Sequence, residues 1–315
     1  MRKNNCSIIM YHYVRDANNS IFKKLNFLKK NEFEFQINFL FKNYNILSPK
    51  DVHEGYSLQK KFSKNDCFLT FDDGYKDHLE VVMPILNKFN IKAFFFPPVI
   101  STLAIDVLDV NKIHHILAMQ EDVNKLFLEI ENIYNSFEIN KFNKNFNDLS
   151  KKIDYSSGNR YDQGKKAIIK RLLQRDLPEK IRMEICNILF KKYVSKDIKS
   201  FAKDLYMSLD DIKKIKNYGH EVGLHGYNHS WYSSLSYKKQ YEDINLALKF
   251  WKDNAIINDK WSICYPYGDF NRDTIKIVKS LNCNLGFTRV IPKNTGTYRS
   301  KLSIPRWDTN DFPKK

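Results

Sequence analysis

Short apolar runs that end in polar or turn residues alternate with stretches of helical periodicity along the first hundred residues. Ser7 to Val14 predicts a first strand, which closes in Tyr11-His12-Tyr13. The segment through Phe27-Leu28 and from Phe35 to Tyr44 has the irregular apolar spacing of a surface-packed helix. Cys67 to Phe71 is a compact apolar run after Asn65-Asp66, and predicts a buried strand delivering Asp72 and Asp73 at its carboxyl end. Leu79, Val82, Met83 and Leu86 fall at helical spacing between His78 and Phe89; Ile91 to Phe96 predicts the next strand, stopped by Pro97-Pro98. Strand, helix, strand in this order is the repeating unit of an α/β fold.

The rhythm changes over about 101–205. Helical patterns run through Ile113 to Met119, Val123 to Tyr134, Lys165 to Leu173 and Pro178 to Tyr193, while Asn140 to Tyr161, rich in Asn, Lys and Ser, reads as loop. This region is read as a helical insertion that packs on the parent domain, or serves it as a lid or substrate-selecting wall. The α/β pattern resumes at Ser208-Leu209-Asp210-Asp211, a helix start with Ser208 as N-cap. Glu221 to Leu224, Trp261 to Tyr265, Cys283 to Phe287 and Ser303 to Pro305 read as strands, and Tyr237 to Trp251 and Thr274 to Ser280 as helices. The expectation is one barrel-like α/β domain over 1–315, built from both ends of the chain, with strand ends converging on one mouth.

A chain of 315 residues, 43% hydrophobic, can bury a substantial core. Lys and Arg number 52 against 36 Asp and Glu, a formal charge of +16 that suits phosphates, acidic glycans or an anionic membrane surface. The basic residues are scattered and no nucleic-acid motif accompanies them, so no nucleic-acid partner is expected. Cys6, Cys67, Cys186, Cys264 and Cys283 are odd in number and show no close-pair ligand spacing, which predicts free thiols in a reducing compartment. Arg2 and Lys3 precede an apolar run only from Ile8 to Met10, neither a secretory signal nor a membrane span. A cytoplasmic location, peripheral to the inner membrane face, is the expectation.

The chemistry concentrates in three segments. In Thr70-Phe71-Asp72-Asp73-Gly74-Tyr75, side chains of adjacent residues at a strand end point in different directions, so one carboxylate can bind a divalent ion while the other stays near its water. Alone, the segment is also compatible with an exposed turn. His225-Gly226-Tyr227-Asn228-His229 places two imidazoles four apart, one helical turn, within reach of a common ion; with Asp73 they form a two-His, one-carboxylate set with open positions. Cys264-Tyr265-Pro266-Tyr267-Gly268-Asp269 follows an apolar strand and makes either a structural corner or a rigid platform whose backbone N-H faces a developing oxyanion.

Together these segments resemble the polysaccharide deacetylase family, the NodB-homology carbohydrate esterases, over roughly 65–100 and 205–306. The resemblance implies a distorted (β/α) barrel and a metal-dependent hydrolase, commonly zinc-containing, that removes N-acetyl and sometimes O-acetyl groups from sugars. By that resemblance Asp73, His225 and His229 are metal ligands and Asp72 the general base, with the Tyr267 backbone N-H stabilising the oxyanion. Met10-Tyr11-His12-Tyr13-Val14 looks like the start of a branch found among surface-glycan enzymes, which puts His12 near the mouth, either as the acid or as a buried histidine bonded to backbone; the alternative acid is Asp72 itself, returning the proton taken from water to the amine.

The chain departs from the family pattern at two points. Cys264 stands where many members carry an arginine, and no histidine follows His229 to supply the late acid. Ile304-Pro305-Arg306-Trp307-Asp308 supplies a candidate substitute, with Arg306 replacing the missing charge near Asp72 and Asp308 capping a loop. His78 is placed on an outward-going helix, and His114 and His115 read as surface or packing residues. The expected substrate is an acylated sugar or glycan, nucleotide-linked or lipid-linked. The alternatives are a metal-dependent amidase or deformylase on a non-glycan substrate, and a non-catalytic glycan-binding descendant.

Overall fold

The computed structural model describes residues 6–16, 25–137, 146–151, 164–289 and 300–315. The chain divides into two compact units, one holding Asn26–Asp106 and Ala202–Lys315 with the N-terminal strand, the other holding Val107–Phe201.

The first unit is built on parallel strands: β1 (Ser7–Tyr11), β2 (Val14–Arg15), β3 (Leu28–Lys29), β4 (Asn45–Ile46), β5 (Asp66–Asp72), β6 (Phe94–Phe96), β7 (Glu221–Val222), β8 (Ser262–Cys264), β9 (Leu285–Thr288), β10 (Ile304–Pro305) and β11 (Trp307–Asp308). One sheet runs β11-β1-β5-β6-β7 with β4 also on β5, a second runs β10-β9-β8, and β2 pairs β3. Leu224, two residues past β7, bridges in parallel to Ile263 of β8. The segment 304–308 pairs on both sides, Ile304 and Pro305 with Phe287 and Thr288, Trp307 and Asp308 with Ile9 and Met10.

Both faces of β1, β5, β6, β8 and β9 are buried, which is why they read as continuous apolar runs rather than alternating ones. Ile8, Phe68, Phe94, Phe96, Cys264, Leu285, Phe287 and Ile304 form one apolar cluster. Their neighbours Ile9, Tyr11, Leu69, Phe71, Phe95 and Ile263 join a larger cluster with the helices. The period of two along a strand then decides the site, because Thr70 and Asp72 share the parity of Phe68, and Arg306 that of Ile304. Polar side chains at the carboxyl ends of the strands therefore face the smaller cluster.

Several local features differ from the sequence expectation. The strand expected from Ile91 begins at Phe94, because Asn90, with φ of +51°, ends the preceding helix and Ile91 N-H still bonds back to Leu86. His78–Val82 is a wide turn closed by Met83 N-H on the His78 carbonyl; Pro84 cannot donate the next helical bond, and the wide turn absorbs that loss. His78 lies inward, fully buried, with Nε2 on the His12 carbonyl at 2.9 Å. The helix Pro49–Ser57, unforeseen because its apolar positions are few, starts with a Ser48–Asp51 capping box and Pro49 in its first turn. Ser208 and Asp211 form the expected capping box at Leu209–Asn217.

The second unit is helical: Asp109–Met119, Val123–Ser136, Phe146–Lys151, Lys165–Arg171 and Glu179–Tyr193. Leu126, Ile130, Tyr134, Ile168, Ile185, Leu189 and Phe190 are buried in it, at the three-and-four spacing of amphipathic helices. His115 is buried against the edge of Phe201. Phe146–Lys151 falls inside the stretch expected as loop, of which all other residues lie outside those described. No helix among the described residues is long and apolar enough to cross a membrane.

Candidate metal centre

β5 ends at Asp72, and the next residue turns sharply. Asp73 has φ of +70° and Gly74 +71°, and a Cβ on Gly74 would lie 2.7 Å from Pro97 Cβ, so only glycine fits there. The Asp73 N-H bonds to the Phe96 carbonyl at 3.1 Å, which fixes the turn to β6. The two carboxylates consequently meet different partners. Asp73 Oδ1 lies 3.4 Å from His225 Nε2 and 3.3 Å from His229 Nε2, while its Oδ2 accepts a 2.5 Å hydrogen bond from Tyr75 Oη. Burial and the adjacent Asp73 carboxylate push the Tyr75 phenol well above its ordinary value, so it is a donor.

The two histidines converge through a loop, not through the helical turn expected from their spacing. Gly226 at φ +72° and His229 at φ +58° reverse the chain, and Asp243 holds the reversal by accepting from Tyr227 N (3.0 Å), Asn228 N (2.9 Å) and Tyr232 Oη (3.0 Å). A helix would turn those amide donors onto its own carbonyls; the buried Asp243 offers them a stronger, charged acceptor. Its signal in the sequence is a lone carboxylate on the apolar face of the helix Tyr237–Asp253, beside Ile244 and Ala247.

His225 Nδ1 lies 2.7 Å from the Cys264 carbonyl. A carbonyl only accepts, so Nδ1 carries a proton and Nε2 is the nitrogen left for an ion, the arrangement a metal ligand requires. Burial pushes the His229 imidazole below its ordinary value. At His225 burial is outweighed by Cys264, Asp73 and Asp72, and its imidazole is pushed well up; a proton held there is what a dication would displace on binding. Ligand atoms of Asp73, His225 and His229 all lie within 4.8 Å of one another and all three residues are buried. Two imidazole nitrogens and a carboxylate oxygen gathered in so small a buried space fit a divalent ion of borderline softness.

Asp72, His225 and Cys264 satisfy the same distance condition, but not the same electrostatics. Arg306 Nη2 lies 2.6 Å from Asp72 Oδ2 and 3.0 Å from Cys264 Sγ, a fixed positive charge where a second cation would have to sit. His225 Nδ1 is also committed to the Cys264 carbonyl.

Arg306 grips Asp72 with both terminal nitrogens, Nη1 to Oδ1 at 2.8 Å and Nη2 to Oδ2 at 2.6 Å, and Nη1 also reaches Thr70 Oγ1 at 2.9 Å. Burial drives the Asp72 carboxyl upward, but the Arg306 charge and hydrogen bonds prevail and hold it at about 2. Cys264, which replaces a charged residue in the sequence pattern, lies 3.5 Å from Asp72 with its thiol pushed up by burial. His12 Nε2 lies 3.8 Å from Asp72 Oδ2 on a side chain that is 42% exposed. Tyr267 has φ of +60°; its ring meets the edge of His229 at 4.6 Å and stacks on Trp231 at 4.0 Å with a 6° interplanar angle. All seven residues singled out by the sequence thus lie around one strand-end locus, with Asp308 capping the short turn after it. Sequence reasoning passed over Asp243, and gave no role to Tyr75 at the end of the paired-carboxylate segment.

Parallel strands deliver a paired-carboxylate turn and a two-histidine loop to one place, an α/β arrangement that could hold a divalent ion. The family model for polysaccharide deacetylase matches residues 59–107 and 178–286, and the chain belongs to that family. The gap between the two matched segments falls largely within the helical unit. YxkH of Bacillus subtilis (strain 168), which carries the same family name, is 34% identical over 90 residues, and the alignment spans 28% of this chain and 30% of that protein. Among solved structures, the Streptococcus pyogenes deacetylase PplD in complex with acetate aligns with TM-score 0.55 and 18% identity, covering 96% of this chain and 91% of that one. IcaB from Ammonifex degensii aligns with TM-score 0.53 and 16% identity, covering 96% and 90%. Those two likenesses establish a shared fold.

Proposed function

We propose that this chain is a metal-dependent deacetylase that removes an N-acetyl or related acyl group from a sugar during surface-glycan or polysaccharide biosynthesis. The observation that carries the reading is the division of labour between adjacent carboxylates, Asp73 turned to two histidines and Asp72 turned to Arg306. Asp73, His225 and His229 would hold the ion, for which zinc suits the two-nitrogen, one-oxygen donor set. When bound it supplies a Lewis acid that polarises the acyl carbonyl and makes the attacking water more acidic.

The remaining steps belong to the chain. Asp72, kept anionic by Arg306, takes a proton from the attacking water. The Tyr267 backbone N-H, presented by a left-handed turn, faces the developing oxyanion. His12, partly exposed beside Asp72, hands a proton to the departing amine. Closure of the strands into a distorted barrel is supported by the Leu224–Ile263 bridge and by the two-sided pairing of 304–308. The charge of +16 favours a nucleotide-linked or lipid-linked sugar at a cytoplasmic, anionic membrane face.

The test is acetate release from nucleotide-linked, lipid-linked and oligosaccharide N-acetyl sugars, after chelation and after metal is restored. Release from at least one sugar class that stops on chelation and returns with zinc is the expected result. Equal hydrolysis of simple amides, or no release from any sugar, overturns the reading.

A further inference from the structure

We propose that Tyr75 is a positioning residue that restricts Asp73 to a single ligating oxygen and thereby sets the coordination number and metal preference of the centre. The inference rests on the metal reading above and asks more of it. A carboxylate can bind an ion through one oxygen or through both, and the choice depends on what else its second oxygen can do. Here the second oxygen is occupied. Tyr75 Oη donates to Asp73 Oδ2 at 2.5 Å, while Oδ1 alone is turned to His225 and His229.

The donor is held in place from several sides. Tyr75 is 1% exposed; its ring stacks on Tyr13 at 4.1 Å and on Tyr206 at 6.0 Å, and meets the edge of His78 at 5.5 Å. Arg15 lies over the outer face of this stack, 4.5 Å from the Tyr13 ring centre, and is fixed by Asp77 at 2.6 Å. The backbone of Tyr75 is pinned as well, by its bridge to Tyr206. A phenol with so few rotamers open to it cannot follow Asp73 if the carboxylate swings, so the hydrogen bond selects one carboxylate orientation. The Tyr11-His12-Tyr13 segment thus acquires a second use, the support of a ligand from behind. One-oxygen carboxylate binding beside two imidazoles favours the low coordination numbers of zinc and cobalt, and disfavours ions that require six oxygen-rich positions.

The experiment measures metal affinity and geometry directly in the full chain. Zinc, cobalt and manganese dissociation constants are determined for the chelated wild type, Tyr75→Phe and His225→Ala, with the visible spectrum of each cobalt-loaded form. Tyr75→Phe should bind zinc about ten- to a hundredfold more weakly, lose zinc-over-manganese preference, and show weaker cobalt bands as the freed oxygen raises the coordination number. His225→Ala should lose most zinc affinity outright. Unchanged zinc affinity and cobalt spectrum in Tyr75→Phe overturn the role of Tyr75 while leaving the metal centre standing. A wild type that binds no metal overturns both. If Tyr75→Phe does not fold, a zinc-loaded crystal structure of the wild type decides: one Asp73 oxygen on the ion and the other on Tyr75 supports the role, and both oxygens on the ion overturns it.

Discussion

Replacing Arg306 with leucine should reverse the way Asp72 couples stability to pH. Both partners are buried, Asp72 2% and Arg306 1% exposed, and removing one member of a buried pair costs about 3–5 kcal/mol because a lone charge remains inside. In the wild type the folded Asp72 titrates at about 2 against an ordinary carboxyl value of 3.8, so the unfolded chain takes up the proton first as pH falls. Its contribution is therefore fully present above about pH 4 and is lost as pH drops toward 2. Without Arg306 the burial that raises this carboxyl, the largest influence on it, is opposed only by the weaker pull of His225 and His12, so the folded carboxyl moves above 3.8 and the sign inverts. The variant can escape its buried charge by binding a proton, at a cost of about 1.36 kcal/mol for each pH unit above 3.8, roughly 4.4 at pH 7 and 1.6 at pH 5. Urea unfolding of wild type and Arg306→Leu at several pH values between 5 and 8 should show the stability gap widening as pH rises. The double change Asp72→Asn with Arg306→Leu should flatten it. A gap independent of pH would refute the claim that Arg306 acts by holding Asp72 ionised.

Further outcomes follow from other sites. Asp72→Asn should keep its zinc affinity and lose most acetate release, since the side chain faces Arg306 rather than the histidines; equal turnover would remove it from the base role. His220 accepts from Ala93 N-H through Nδ1 at 3.1 Å, and burial lowers its titration to about 4 from an ordinary 6.5, so the unfolded chain binds the proton first. Stability should therefore fall by about 2 kcal/mol from this group between pH 6.5 and 5, and His220→Asn, which keeps an acceptor but cannot titrate there, should show a correspondingly smaller fall in urea. Gly223→Ala should cost about 1–3 kcal/mol, because its Cβ would lie 2.4 Å from Phe96 and 2.7 Å from a Ser262 carbonyl already bound by Leu224 N-H. A melting temperature equal to wild type would show that the two strands can separate there without penalty.

The inner strands β1, β5, β6, β8 and β9 were legible because parallel strands buried on both faces write themselves as unbroken apolar runs, as in Cys67 to Phe71, whereas the two-residue strands β2, β3, β4 and β11 were not. Asp72 and Asp73 were legible as a divided pair from their place at a strand end, although it is the left-handed turn at Asp73, not the strand period, that divides them. What the sequence could not express was the path between His225 and His229: four-residue spacing fits a helical turn, and only the remote carboxylate of Asp243, together with two left-handed residues, makes it a loop. Ile91 to Ala93 was overread as strand for a related reason, since apolar residues that cap a helix and residues that join a sheet look alike locally. The bidentate Arg306–Asp72 contact spans most of the chain, and no local pattern carries its geometry.

The two-sided pairing of 304–308 also bears on when this protein becomes a protein at all. The guanidinium that neutralises Asp72 is synthesised 234 residues after the carboxylate. Until then the inner face of β5 would enclose an unpaired charge, and β1 and β9 would each lack a neighbour. Contacts of such long sequence separation form late and slowly. A growing chain therefore keeps these two strand edges open until that segment has been made, and ordering of the strand-end site coincides with the docking of five residues.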